Sequence, residues 1–167
     1  RQPRLLYRNL GNSRFEDVSA QAGPAIAAEN LGRGCAFGDF DNDGDLDVLV
    51  NNLDGPPTLL RNDGGNRNNA IMIKCIGTRS NVSAIGTRVK VTAGGRAQID
   101  EVTSGSSYYS QNDFRLHFGL GSLSKADTIE FAWPSGVTET VRNVPANQLH
   151  VCHEGKGIVT SRKFRQS

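Results

Sequence analysis

From about residue 69 onward, apolar and polar residues alternate with a period of two. Ile71, Ile73 and Cys75 alternate with Met72 and Lys74, and Val89 and Val91 with Arg88 and Lys90. Phe114, Leu116 and Phe118 alternate with Arg115 and His117, and Ile129, Phe131 and Trp133 with Glu130 and Ala132. Successive side chains of a strand point to opposite faces, so this pattern predicts sheets with one buried face. Pro134-Ser135-Gly136 predicts a hairpin turn into residues 137–142, and residues 147–151 read as a closing strand. Short strands separated by turns favour a β-sandwich or small barrel.

The first 67 residues carry a different pattern. Leu6-Tyr7-Arg8-Asn9-Leu10-Gly11 returns as Leu59-Leu60-Arg61-Asn62-Asp63-Gly64, an offset of 53 residues. Each copy reads as a strand running into an Asn/Gly turn. Repeats of roughly 40–50 residues built of short strands are the signature of propeller blades. Only about one blade-length is present, and one blade cannot bury its faces alone. The expectation is a partial β-propeller blade, either the end of a longer propeller or one whose missing strands another subunit supplies, with edge strands open to a partner. Residues 63–69 form a polar joint. The expected units are therefore 1–67, 68–155 and a basic tail, 156–167.

Between the two copies, Asp39-Phe40-Asp41-Asn42-Asp43-Gly44-Asp45-Leu46-Asp47 places five carboxylates in nine residues. Two such charges ~4 Å apart near a protein surface repel by about 4 kcal/mol, and a bound cation reverses that sign. Asp39, Asp41 and Asp43 occupy positions 1, 3 and 5 of a loop. Gly44 at position 6 permits the sharp turn, Asp45 at position 7 offers a carbonyl, and Asp47 at position 9 closes the shell. Hard oxygen ligands at this spacing favour Ca²⁺. The loop is not an EF-hand, because position 12 is Val50 rather than Glu. Its flanks, Gly34-Cys35-Ala36-Phe37-Gly38 and Leu46-Asp47-Val48-Leu49-Val50, read as strands rather than helices.

Nineteen glycines and few helix-favouring runs agree with an all-β chain rich in turns. No run of 18 apolar residues exists, so no transmembrane helix is expected. The chain starts at Arg1 without a signal peptide and is expected to be a piece or a processed product. The net charge of +2 is uneven: residues 1–67 hold 7 Lys/Arg against 10 Asp/Glu, and residues 156–167 hold 4 against none. The tail (Lys156, Arg162, Lys163, Arg165) is expected to be a frayed, solvated terminus. Basic charge confined to a tail, with Phe164 its one aromatic neighbour, argues against nucleic acid as a partner. Of Cys35, Cys75 and Cys152 at least one is unpaired. A Cys75–Cys152 disulfide requires their strands to adjoin.

Gly38–Asp47 resembles the calcium loop of the FG-GAP/VCBS repeats of integrin-type propellers. Residues from about 71 to 154 resemble the ASPIC/UnbV domain, which follows such repeats in many bacterial secreted proteins. The stretches that carry this are Gly86-Thr87-Arg88-Val89, residues 103–112, His117-Phe118-Gly119-Leu120-Gly121, Trp133-Pro134-Ser135-Gly136 and Asn143-Val144-Pro145-Ala146-Asn147-Gln148. The resemblance implies an extracellular or cell-surface β module. It puts calcium on Asp39, Asp41, Asp43, Asp47 and the Asp45 carbonyl.

The function expected is a non-catalytic, calcium-stabilised binding or assembly module of adhesion type. Its partner would be a protein or glycan at the cell surface, or another copy of the chain added through open strands. One alternative is carbohydrate binding through Tyr108, Tyr109 and Trp133. Tyr108 and Tyr109 face opposite ways if that segment is extended. Another alternative is a hydrolase or accessory enzyme using Ser104, Ser106, Ser107, Tyr108, Tyr109, Ser110, Gln111 and Asn112 with His117. No G-x-S-x-G elbow supports it, and no catalytic residue is assigned. His117 reads as an outward-facing polar residue. His150 and His153 lack metal-ligand spacing. Asn81-Val82-Ser83 is an N-glycosylation sequon.

Overall fold

The structure, a computed structural model, describes residues 1–64 and 67–165. The described residues are nearly all β, with single helical turns at Ser19–Gln21 and Pro24–Ala27. In the first half, β1 (Tyr7–Gly11) and β2 (Arg14–Asp17) form a hairpin. Then β3 (Gly32–Gly38), β4 (Asp47–Asn52) and β5 (Thr58–Leu60) form an antiparallel sheet in that order. The repeated motif has a local cause. Asn9 Oδ1 accepts from the Gly11 N–H at 2.8 Å, and Asn62 Oδ1 from the Gly64 N–H at 3.4 Å, so each copy encodes the same Asn-led turn. The joint expected at 63–69 includes residues 65 and 66, which lie outside the described residues.

The second half is a sandwich of two open four-stranded sheets, not a closed barrel. Its strands are β6 (Asn69–Ile76), β7 (Arg88–Ala93), β8 (Arg96–Glu101), β9 (Leu116–Gly121), β10 (Lys125–Ala132), β11 (Thr138–Pro145), β12 (Gln148–His153) and β13 (Gly157–Lys163). One sheet runs β11-β10-β7-β8 and the other β13-β12-β6-β9. The expected hairpin is β10–β11, with Ala132 opposite Thr138. The alternating apolar residues meet in one core that includes Ile71, Ile73, Val89, Ile129, Phe131 and Trp133. Burying a side chain of this class contributes roughly 1.5–3 kcal/mol, so this core dominates the stability of the second half.

Three expectations change. Residues 156–163 are not a frayed tail: β13 pairs antiparallel with β12 from Gln148–Lys163 to His153–Gly157. Met72 sits on the polar phase of the β6 alternation yet is 1% exposed, because that face is also covered. Met72 shares a cleft with Phe37 and Leu46 of the first half. The β3 edge is not fully open. The Phe37 N–H donates to Asn112 Oδ1 at 3.0 Å, and its carbonyl accepts from the Asp113 N–H at 2.9 Å.

Cys75 and Cys152 are opposite each other on the parallel pair β6–β12. The strands adjoin, but both side chains are buried free thiols. Burial pushes the Cys75 thiol up to about 12 and Cys152 higher still. At such values almost no thiolate forms near neutral pH, so both are inert core residues.

Candidate metal centre

The Asp-rich segment is the loop that closes the β3–β4 hairpin, with Gly38 paired to Asp47 at its base. Asn42 (φ 65°) and Gly44 (φ 98°) take left-handed backbone, which folds the loop tightly over its own side chains. Gly44 is required twice over, because a Cβ there would also strike the Phe164 ring.

One carboxylate oxygen from each of Asp39, Asp41 and Asp43 lies within 4.8 Å of the other two. The remaining loop carboxylates are buried beside them, Asp45 at 4% and Asp47 at 2% exposure. Asp39 accepts from the Asp43 and Gly44 N–H groups at 3.2 and 3.1 Å, and Asp43 from the Asp45 N–H at 2.9 Å. Asp47 is the clasp: its oxygens accept from the Phe40 and Asn62 N–H groups, each at 2.8 Å. The structure thus converges the position 1, 3 and 5 side chains, while Asp47 ties the loop to the strand end after β5.

The charge in this loop is undercompensated by the protein. Burial raises the Asp39 carboxyl above its ordinary value. Hydrogen bonds from Gly44 and Asn42 and the charge of Arg115 oppose the rise without cancelling it. Asp41 Oδ1 is buried with no hydrogen-bond partner among the described residues. A buried polar atom left unpaired costs about 1–3 kcal/mol. A hard cation on the converging oxygens removes both penalties, so these residues fit Ca²⁺.

The second half grips this loop from outside. Arg115 donates from Nη2 to the Asp39 carbonyl at 2.7 Å, from Nη1 to Asn42 Oδ1 at 2.8 Å, and from Nε to Asp113. His117 does face away from the core, as its alternation predicts, but it is no bland surface residue. Its Nε2 meets the Gly44 carbonyl at 2.9 Å. The Arg165 N–H donates to the Asn42 carbonyl at 2.7 Å. These partners escaped the sequence reading; the one signal was Arg115 and His117 sharing a strand face in a chain with an acidic loop.

The polar segment 104–112 is a built turn. The Ser106 N–H donates to the Ser110 carbonyl and the Ser110 N–H to the Ser107 carbonyl, each at 3.2 Å. The Gln111 side chain accepts from the Gly105 N–H and donates to Thr103 and Asn112 carbonyls. Tyr109 has φ 48°, so the segment is not extended and the tyrosines do not face opposite ways. Their rings lie edge to face, 4.5 Å apart, both exposed. Trp133 is 3% exposed, stacks on Phe131 and donates to Glu139 at 2.6 Å, so it forms no surface platform. His150 is buried between Ser161 Oγ and the Pro145 carbonyl, and burial lowers its pKa. The Asn81 side chain closes its own loop through both atoms of its amide with the Ile85 backbone.

Glu154 was also not singled out in the sequence. It is 2% exposed. Its Oε2 accepts from three consecutive N–H groups, Thr78 at 2.9 Å and Arg79 and Ser80 at 2.7 Å. Its Oε1 accepts from the Ser80 and Ser135 hydroxyls. Burial acts to raise this carboxyl, but the hydrogen bonds from Ser135, Ser80, Arg79 and Thr78 outweigh it and hold it far below the ordinary range.

Comparison with known proteins agrees with this arrangement. The FG-GAP-like repeat family matches residues 2–50, and the ASPIC and UnbV family matches residues 77–159. The chain carries an FG-GAP-like repeat followed by an ASPIC/UnbV domain. Cartilage acidic protein 1 of Homo sapiens is 29% identical over 151 residues, which is 88% of this chain and 22% of the relative. The Mus musculus protein of the same name is 30% identical over 152 residues, 87% of this chain and 23% of the relative. The chain therefore spans less than a quarter of the length of these relatives. No helix among the described residues is long and apolar enough to cross a membrane.

Proposed function

We propose that the FG-GAP-like repeat binds Ca²⁺ through Asp39, Asp41, Asp43, Asp47 and the Asp45 carbonyl, and that the chain is a non-catalytic, calcium-stabilised assembly module of the cell surface or extracellular space. The observation that carries this reading is the convergence of one oxygen each from Asp39, Asp41 and Asp43, together with an Asp41 Oδ1 that is buried without a hydrogen-bond partner among the described residues. The ion supplies charge compensation for the loop. The chain's own residues supply the shape, through the left-handed turns at Asn42 and Gly44 and the Asp47 clasp.

An assembly role is supported by the first half's exposed apolar surface. Ala36, Leu49 and Leu59 form a row across β3, β4 and β5, and Leu49 and Leu59 are 47% and 43% exposed. In a longer chain, neighbouring blades would cover this row; the partner beyond them is a protein or glycan. Calcium titration calorimetry tests the site. Uptake with a dissociation constant near 10⁻⁴–10⁻³ M is expected, and Asp41→Ala should abolish it. Heat-free titrations in a folded chain would refute the site.

Carbohydrate binding is the second reading, now resting on the exposed Tyr108–Tyr109 pair with Arg33 5.6 Å from the Tyr108 ring centre. A glycan array without hits, or hits unchanged by Tyr109→Ala, removes it.

A further inference from the structure

We infer that the Asp-rich loop is a two-sided joint. Its inward side chains hold the ion, and its outward backbone seats the ASPIC/UnbV domain, so ion uptake and the docking of the C-terminal strand reinforce each other. The inference rests on the calcium reading above and extends it to residues outside the loop.

The geometry divides the loop cleanly. The inward side chains come from positions 1, 3 and 5. The outward groups are the Asp39 carbonyl, the Asn42 side chain and carbonyl, and the Gly44 carbonyl, at positions 1, 4 and 6. Every one of these is taken by a residue of the second half of the chain: Arg115 and His117 of the ASPIC/UnbV match, or Arg165 just after β13. None of these outward carbonyls is needed as a ligand, since the backbone ligand expected at this spacing is position 7. The Phe164 ring lies against Gly44, where no side chain fits. Phe164 and Arg165 directly follow β13, and the Phe164 N–H donates to the Asn147 carbonyl at 3.2 Å.

The seat lies on the outer face of the β13-β12-β6-β9 sheet. His117 pairs with Met72 across β9 and β6, and Met72 with Leu149 across β6 and β12. Arg115 is itself fixed. Its N–H donates to Asp113 Oδ1 at 3.0 Å, and the Asp113 N–H is bound to Phe37 at the edge of β3. A guanidinium fork held this way locks positions 1 and 4 of the loop relative to each other. Groups that orient metal ligands from outside typically change metal affinity 10- to 100-fold when removed. Thermodynamic linkage makes the effect reciprocal: a seat that favours the ion-ready loop is strengthened by the ion by the same factor.

The test combines calcium calorimetry with amide hydrogen exchange on the 167-residue chain. In the wild type, calcium should slow exchange of the Phe164 and Arg165 amides. Arg115→Ala should weaken calcium binding 10- to 100-fold and abolish that slowing. Phe164→Ala, outside the core, should weaken binding severalfold with the sandwich intact. Arg115→Lys should not restore affinity, because an ammonium group cannot span both loop positions. Calcium binding with unchanged exchange at residues 164–165 overturns the joint, as does wild-type affinity in Arg115→Ala and Phe164→Ala. If the wild type takes up no calcium, the metal reading fails by itself. The seat is then judged without the ion, where unchanged exchange at residues 164–165 in Arg115→Ala overturns it.

Discussion

In the second half of the chain the buried side chains include Ile71, Ile73, Val89, Ile129 and Phe131; in the first half they are Asp39, Asp43, Asp45, Asp47, Asn52 and Val50. The exposed sets are reversed as well. Leu5, Leu6, Phe15, Phe40, Leu49 and Leu59 stand open in the first half. A two-sheet sandwich closes its inner apolar faces on each other. A three-stranded blade has no second sheet to close on. Its interior is built instead from carboxylates only partly satisfied by backbone N–H groups, and its apolar residues Leu49 and Leu59 stay exposed. The two halves therefore differ in what stabilises them: burial of apolar area in one, charge compensation in the other.

The strongest way to break this contrast is Phe131→Ala. It removes a large core side chain 2% exposed and should cost roughly 3–5 kcal/mol. Urea unfolding should give the same loss with and without calcium; a calcium-dependent loss would mean the halves are not separable in this way.

Glu154 qualifies the contrast, since the sandwich also buries one charge. Its carboxyl is held below the ordinary Glu value of 4.5. A depressed carboxylate stabilises the fold above its unfolded value, and that contribution is lost as pH falls through the folded value. Glu154→Gln should lower the melting temperature at pH 7. The gap to wild type should narrow as pH drops below about 4.5. A gap constant from pH 7 to pH 3 would contradict the cradle.

Calcium should act at the loop of the first half and, through Arg115, His117 and Arg165, on the second half's grip of it. At ten times the dissociation constant it stabilises by about 1.4 kcal/mol, or roughly 3–6 °C in melting temperature at this chain length. Asp41→Ala should remove the response, and melting curves identical with calcium and with chelator would refute it. The smallest effect belongs to Leu49→Ser. An exposed site should change stability by less than about 0.5 kcal/mol. A larger loss that grows with protein concentration would mean that a second copy covers the row in solution.

How much of this could be read in the chain varies by element. The 1-3-5 spacing of Asp39, Asp41 and Asp43 with Gly44 located the loop, because a tight turn is a local object. The alternation at 71–75, 88–91 and 129–133 located strands and their core face for the same reason. The alternation misjudged Met72, because a second layer covers the outer face. It also could not see β13, whose pairing with β12 depends on the sheet around it.

Sequence alone determined which residues can make strands and where the acidic loop bends. Those properties depend on neighbours a few positions away. The tertiary structure alone decided that Arg115, His117 and Arg165 grip that loop, that Glu154 sits on the backbone of residues 78–80, and that Cys75 faces Cys152. These contacts join residues about 75 to 120 positions apart, and no local pattern encodes which distant surfaces the topology brings together.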